Sequence, residues 1–328
     1  MVVKIVQGDA LSILKTLKSD CINTCITSPP YFGLRDYGVA GQIGLEPSPD
    51  LYVQNMVDIF REVRRCLRPD GTLWLNLGDS YAGSGRGGNP DAGTKQGTNK
   101  GSQSIGVLYG REHESALIER RRVKQQFAAL SQLAIKPKDL VGIPWRVAFA
   151  LQADGWYLRQ DIIWAKPNPM PESVRDRCTK SHEYLFLLSK EPKYYFDADA
   201  IAEDAVSVER KKWTDHGSEK QRGHGRRHAG FNGRYAERIM KEGAPKKRNR
   251  RSVWFIAPQP FKEAHFATFP PDLVEPCALA GCPIGGYILD PFAGSGTVGM
   301  VANKLNRHAI LFELNPEYVE MVKRRCNV

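Results

Sequence analysis

"GYILDPFAGSGTVGMVANKLNRHAILFELN", residues 286–315, reads as a strand, a glycine loop, a helix and a second strand. The apolar run from Tyr287 ends at Asp290, and Pro291 prevents its continuation. Gly294 and Gly296 permit a tight turn and a close approach of backbone to a ligand, and the helix that follows offers its N-terminus. Glu313 closes the next strand, 23 positions after Asp290. That is where a ribose diol expects a carboxylate acceptor. The stretch lacks the third glycine of a dinucleotide site and the Gly-Lys-Ser/Thr of a phosphate loop. A smaller adenosine cofactor therefore fits it better than NAD or ATP.

Outward from this stretch the same alternation continues. "VKIVQGDA" is a short strand ending at Gly8-Asp9, followed by the helical "LSILKTLK". "CINTCITS" is a strand that runs into Pro29-Pro30. "YVQNMVDIFREVRRCLRPDG" has helical apolar spacing and is expected to stop in a turn at Pro69-Asp70-Gly71, before the buried strand "TLWLNLGDS". "RQDIIWAK" and "HEYLFLLSK" are further strands, and "PPDLVEPCALAGC" a helix. Strands alternating with helices imply an α/β fold with a mainly parallel sheet, whose ligands sit beyond the C-terminal ends of the strands.

A chain of 328 residues, 41% apolar, can bury one large domain and carry an insertion. The formal charge is +11, and residues 206–251 hold fifteen Lys or Arg against five Asp or Glu, nearly the whole excess. Cations there alternate with Gly, His, Trp, Phe and Tyr, a composition suited to a polyanion such as nucleic acid. Residues 82–105 are rich in Gly, Ser and Asn, as in a mobile insert. Seven scattered cysteines form no CxxC pair, so neither a disulfide frame nor a zinc site is expected. With no long apolar run and no signal-peptide layout at the start, a cytoplasmic location is expected.

"DPFAGSGT" together with "TSPPY" at 27–31 resembles the amino-methyltransferases of DNA, which methylate the exocyclic amine of cytosine or adenine with S-adenosyl-L-methionine. The order is similar to their β class: catalytic loop, target-recognition insert, cofactor loop. The resemblance implies a Rossmann-like, circularly permuted methyltransferase fold. Its catalytic half would cover 1–205, with a mobile insert at about 82–125. A basic recognition insert would follow at 206–251 and the cofactor half at 252–328. It implies cofactor contacts from Asp9 (to the adenine amine), Asp290, Phe292, Gly294, Ser295, Gly296, Thr297 and Glu313. His265 and Thr268, in "HFATFPPDL", would lie beside the methionine end. Double-stranded DNA is the implied partner, with no metal and no membrane. The resemblance leaves open a monomer or homodimer, a companion restriction endonuclease, and a bacterial, archaeal or phage source.

The double proline has a physical reason in this chemistry. An exocyclic amine is a poor nucleophile because its lone pair is delocalised into the ring. Two acceptors against its hydrogens draw the nitrogen toward tetrahedral geometry. By the resemblance these are the Ser28 hydroxyl and the Pro29 carbonyl, aimed by the rigid Pro29-Pro30 corner. Tyr31 would offer a face to a base flipped from the duplex. Ser at the first motif position goes mostly with cytosine N4 in this family, Asp mostly with adenine N6, so cytosine N4 is expected and adenine N6 is the alternative. RNA or protein amide methylation and a catalytically silent DNA-binding role are further alternatives. Cys277 follows a proline, as in carbon-methylating enzymes, but within a helical stretch that makes it a packing residue. Asp79, after "NLG", either lines the base pocket or orients a turn.

Overall fold

The computed structural model describes residues 1–82, 135–136, 138–205, 247–259 and 269–328. They divide into two compact units, residues 1–196 with 252–328, and residues 197–251. The first unit is built on an eight-stranded sheet. Its strands are β1 (Val3–Gln7), β2 (Ile22–Thr27), β3 (Leu67–Leu77), β4 (Tyr157–Ala165), β5 (His182–Ser189), β8 (Val253–Phe255), β9 (Tyr287–Asp290) and β10 (His308–Glu313). The order across the sheet is β1-β10-β9-β2-β3-β5-β4-β8. All neighbours pair in parallel except β5, which is antiparallel to both β3 and β4. In the second unit β6 (Glu203–Asp204) and β7 (Lys247–Arg248) form an antiparallel ribbon.

Near-continuous burial of β2, the last seven residues of β3 and the second half of β5 marks strands covered on both faces. One face carries α1 (Ala10–Leu14), α2 (Pro49–Cys66) and α3 (Ile143–Ala153), whose Leu14, Met56, Phe60, Val63, Val147 and Leu151 pack with Cys25, Leu73, Leu75 and Phe186. The opposite face carries α4 (Pro271–Gly281), whose Gly281 lies so close to β2 and β3 that a Cβ there would fall 2.6 Å from Trp74 Nε1. Beyond it come α5 (Thr297–Lys304) and α6 (Pro316–Cys326). Ser48 caps α2 and Asn315 caps α6, each followed by proline in the first turn.

The expected turn at Pro69-Asp70-Gly71 is instead a bulge inside β3. Strand pairing jumps from Ile22–Leu67 to Thr24–Thr72, so the extra residues of β3 swell out without ending the strand. Placing β1 beside β10 sets the first strand of the chain next to the last, the permuted arrangement. No helix among the described residues is long and apolar enough to cross a membrane.

Candidate active site

Chain order reverses between β9 and β2: β9 leads through α5 to β10 on one side, and β2 through α2 to β3 on the other. A crevice at such a reversal is where open α/β sheets bind ligands. The Ser-Pro-Pro-Tyr corner, residues 28–31, leaves β2 here, and the glycine loop leaves β9 beside it. One hydrogen bond ties the two: Thr27 Oγ1 donates to Asp290 Oδ1 at 2.6 Å. Phe292 N donates to the same oxygen at 3.1 Å. Asp290 is thus turned inward, holding its own loop and the corner together. Burial pushes its carboxyl up to about 7, against the pull of these hydrogen bonds.

Gly294 and Gly296 have φ of +51° and +78°, the left-handed region that glycine enters without strain. A Cβ at Gly294 would meet nothing nearer than Phe292 O at 4.0 Å, so open space lies beside the loop at that point. A Cβ at Gly296 would press on Val322 of α6 at 3.0 Å, so this glycine serves close packing. Glu313, at the end of β10, accepts from Gly294 N (2.8 Å) and Asn315 N (2.9 Å), and burial raises its carboxyl above the ordinary value. Ser295 and Thr297 are buried, and Arg325 Nη1 of α6 donates to their hydroxyls at 2.7 and 3.1 Å. Asp9 is exposed at the end of β1, with Oδ1 capping α1 by accepting from Ser12 N (2.8 Å) and Ser12 Oγ (2.7 Å). Open space at a glycine turn, a helix N-terminus and a carboxylate one strand away are the features an adenosine-bearing sulfonium requires. His265 and Thr268 lie outside the described residues.

At the Ser-Pro-Pro-Tyr corner, Tyr52 of α2 donates to Pro30 O at 2.9 Å, fixing the second proline. Ser28 Oγ lies 3.3 Å from Tyr31 Oη and 3.3 Å from Asn76 Nδ2 of β3. Tyr31 does not stand free. Its ring packs on Gly78, where a Cβ would fall 2.4 Å from Cε2, and its hydroxyl donates to Glu183 Oε2 at 2.6 Å. Burial and the charge of Glu183 raise the phenol well above its ordinary value. Asn76 Nδ2 also reaches Tyr31 Oη, and Glu183 Oε2 at 2.9 Å. Lys166, just beyond β4, pairs with Glu183 Oε1 and lies over the Trp164 ring at 4.3 Å. Burial would raise the Glu183 carboxyl, but Lys166 and the hydrogen bonds outweigh it and hold it below the ordinary value.

Asn76, Lys166 and Glu183 were not singled out by sequence reasoning. The signal available was a carboxylate opening an otherwise apolar strand, "HEYLFLL". Asp79 orients a turn: its carboxylate accepts from Gly142 N and Ile143 N, both at 3.0 Å, where α3 begins. Cys277 is buried within α4 and donates to Leu273 O at 3.1 Å, a packing role.

The family profile N6_N4_Mtase, described as DNA methylase, matches residues 22–324. The chain is 44% identical over 319 residues to the Type II methyltransferase M.Cfr9I of Citrobacter freundii, covering 97% of this chain and 86% of that protein. It is 43% identical over 322 residues to M.SmaI of Serratia marcescens, covering 98% and 90%. Among solved structures, PvuII DNA methyltransferase (cytosine-N4-specific) aligns with a TM-score of 0.60 at 17% identity, over 99% of this chain and 86% of that one. M1.HpyAVI bound to S-adenosylmethionine aligns with a TM-score of 0.51 at 17% identity, over the whole of both chains. With the permuted sheet, the glycine loop and the Ser-Pro-Pro-Tyr corner at one reversal point, this chain belongs to the β-class amino-methyltransferases of DNA and uses S-adenosyl-L-methionine.

Proposed function

We propose that the chain methylates the exocyclic N4 amine of cytosine at a specific sequence in duplex DNA, by flipping the base and transferring the methyl group directly. The observation that carries this reading is Ser28, a neutral hydroxyl at the head of the corner, next to the loop that leaves β9. A hydroxyl is a neutral acceptor, whereas the Asp of the alternative motif brings a charge to the same place.

Bound S-adenosylmethionine supplies an electrophilic methyl on a sulfonium, so no covalent intermediate on the protein and no metal is needed. Glu313 would hold the ribose diol, and the backbone at Gly294, where space is open, would approach the ligand, while Gly296 packs its loop on Val322. Asp9 meets the adenine amine with the carboxylate oxygen that does not cap α1. Asp290 and Phe292 keep loop and corner in register. Ser295 and Thr297 act through their anchorage to Arg325, while His265 and Thr268 flank the methionine end. At the corner, the Ser28 hydroxyl and the Pro29 carbonyl would accept hydrogen bonds from the two amine hydrogens, which localises the nitrogen lone pair. This is stabilisation by preorganised acceptors, strongest in the transition state. The methylated amine then releases one proton to solvent. The packing of Tyr31 on Gly78 leaves at most one ring face for the base. The basic run at 206–251 is assigned to DNA, and the Type II relatives support a companion restriction endonuclease.

The test is to incubate unmethylated DNA with the protein and labelled cofactor, digest to nucleosides and separate them. Label in N4-methylcytosine is expected. Label in N6-methyladenine overturns the choice of base but leaves the chemistry of the corner. Label in 5-methylcytosine overturns both.

A further inference from the structure

A serine hydroxyl facing an amine can point either its lone pair or its own hydrogen at it. Only the first helps to localise the nitrogen lone pair. The direction of the Ser28 hydroxyl is therefore a chemical variable, decided by Tyr31 three positions on and by Asn76 and Glu183, both distant in sequence. A carboxylate can only accept, so the Tyr31 hydrogen is committed to Glu183 Oε2 at 2.6 Å. Tyr31 Oη is left as an acceptor, and Ser28 Oγ, 3.3 Å away, donates to it. Asn76 Nδ2 can only donate, and it reaches Ser28 Oγ, Tyr31 Oη and Glu183 Oε2 from one position. The opposite orientation of this amide would set Oδ1 against the carboxylate, so the network itself fixes it. With its hydrogen spent on Tyr31, Ser28 has only lone pairs left for the substrate, since the two Asn76 hydrogens have nearer partners in Tyr31 Oη and Glu183 Oε2.

We propose that Glu183, acting through Tyr31, is the positioning residue that fixes Ser28 as an acceptor toward the target amine, with Lys166 as its counter-ion. The inference rests on the reading of Ser28 as an acceptor for that amine. Three features support it. Both charged side chains are largely buried, at 15% and 19% exposure, so the pair is not a solvated surface bridge. Glu183 stays ionised beside Lys166, with Lys180 adding to the positive surroundings, while Tyr31 keeps its proton. Finally, the chain of donors runs from Ser28, the hydroxyl assigned to chemistry, through Tyr31 to the Glu183 carboxylate. An amide at 183 could donate to Tyr31 Oη. The phenol hydrogen would then turn to Ser28, and the serine hydrogen would turn to the substrate.

The experiment uses the full chain, unmethylated DNA of mixed sequence and labelled S-adenosylmethionine. It measures single-turnover transfer at saturating DNA and cofactor, and the dissociation constants of both. Glu183→Gln is expected to slow transfer by about tenfold or more while both dissociation constants stay within about threefold, the pattern of an interaction made in the transition state. Tyr31→Phe should slow it similarly. The Tyr31→Phe/Glu183→Gln double variant should be no slower than Tyr31→Phe alone, since both break one chain. A Glu183→Gln rate within about twofold of wild type, or losses that multiply in the double variant, overturns the inference. Glu183→Gln leaves Lys166 unpaired, so Lys166→Met/Glu183→Gln restores neutrality. If neither shows a melting transition, Tyr31→Phe decides, because it leaves the ion pair intact: full rate there overturns the proposal. Ser28→Ala separates the two readings. Undiminished transfer in Ser28→Ala overturns the role of Ser28 itself, whereas slow Ser28→Ala with fast Glu183→Gln overturns only the role of Glu183.

Discussion

Asp290 is a buried carboxylate and Glu313 a half-buried one, both beside the glycine loop, yet they differ in what they hold. Asp290 is bound to Thr27 and to its own loop, and its carboxyl is pushed up to about 7. An unfolded aspartate releases its proton near about pH 4. Between these values the folded chain holds a proton that the unfolded chain does not, so stability falls as pH rises through the window. The slope is up to about 1.4 kcal/mol per pH unit. Asp290→Asn should flatten this part of a denaturant-derived stability profile between about pH 4 and 7. A profile unchanged by the substitution would remove the assignment. Glu313→Ala should weaken S-adenosylmethionine binding by about 1–3 kcal/mol in calorimetry, through the lost ribose contact and the freed Gly294 N–H. Unchanged affinity in a folded variant would count against the ribose role. Ser28, Asp290 and Glu313 could be found in the sequence because each closes a strand inside a contiguous motif. Glu183 showed only as a carboxylate opening an apolar strand, and its role, like those of Lys166 and Arg325, follows from partners that strand order or helix packing supplies.

At the scale of elements, α3 begins where the Asp79 carboxylate accepts from Gly142 N and Ile143 N. Gly142 has no side chain to cap with, so a residue 63 positions earlier performs the task. Asp79→Ala should cost about 0.5–2 kcal/mol of stability, read from the melting or denaturation midpoint, and Asp79→Asn less, because an amide oxygen still accepts. Equal losses in the two variants would contradict a capping role. Periodicity made the helices and the buried strands legible. It misjudged Pro69-Asp70-Gly71, because turn residues look alike in a turn and in a bulge. Only the pairing of β2 with β3 on both sides of it distinguishes the two.

At the scale of the molecule, the composition of residues 206–251 is the feature that a fold alone does not explain. Most of that run lies outside the described residues; at its end Arg248 and Arg251 both pair with Glu203, at 3.4 and 3.1 Å. Reversing either would disturb that pairing as well as any DNA contact, so Lys246 and Lys247 are the better probes. Lys246→Glu/Lys247→Glu should weaken DNA binding and lower the slope of log affinity against log salt by about 2, if both meet phosphates. Cofactor affinity should not change. An unaltered slope would assign DNA to another surface, such as the basic run at 118–126. The α/β class and the permuted order were readable because each strand–loop–helix unit is local in sequence.

The side-by-side placement of β1 and β10, with β9 wedged against β2, also sets a timetable. Strands β2 and β3 leave the ribosome within the first 77 residues, but the partner on the other edge of β2 ends at residue 290. A nascent chain must therefore keep that edge unpaired through most of its synthesis, a long-range closure of the kind that slows folding and exposes strands to misassociation. The ends of β1 and β10, where Asp9 and Glu313 stand, likewise come together only once β10 has been made. No methyl transfer is therefore expected from a nascent chain that stops short of residue 313.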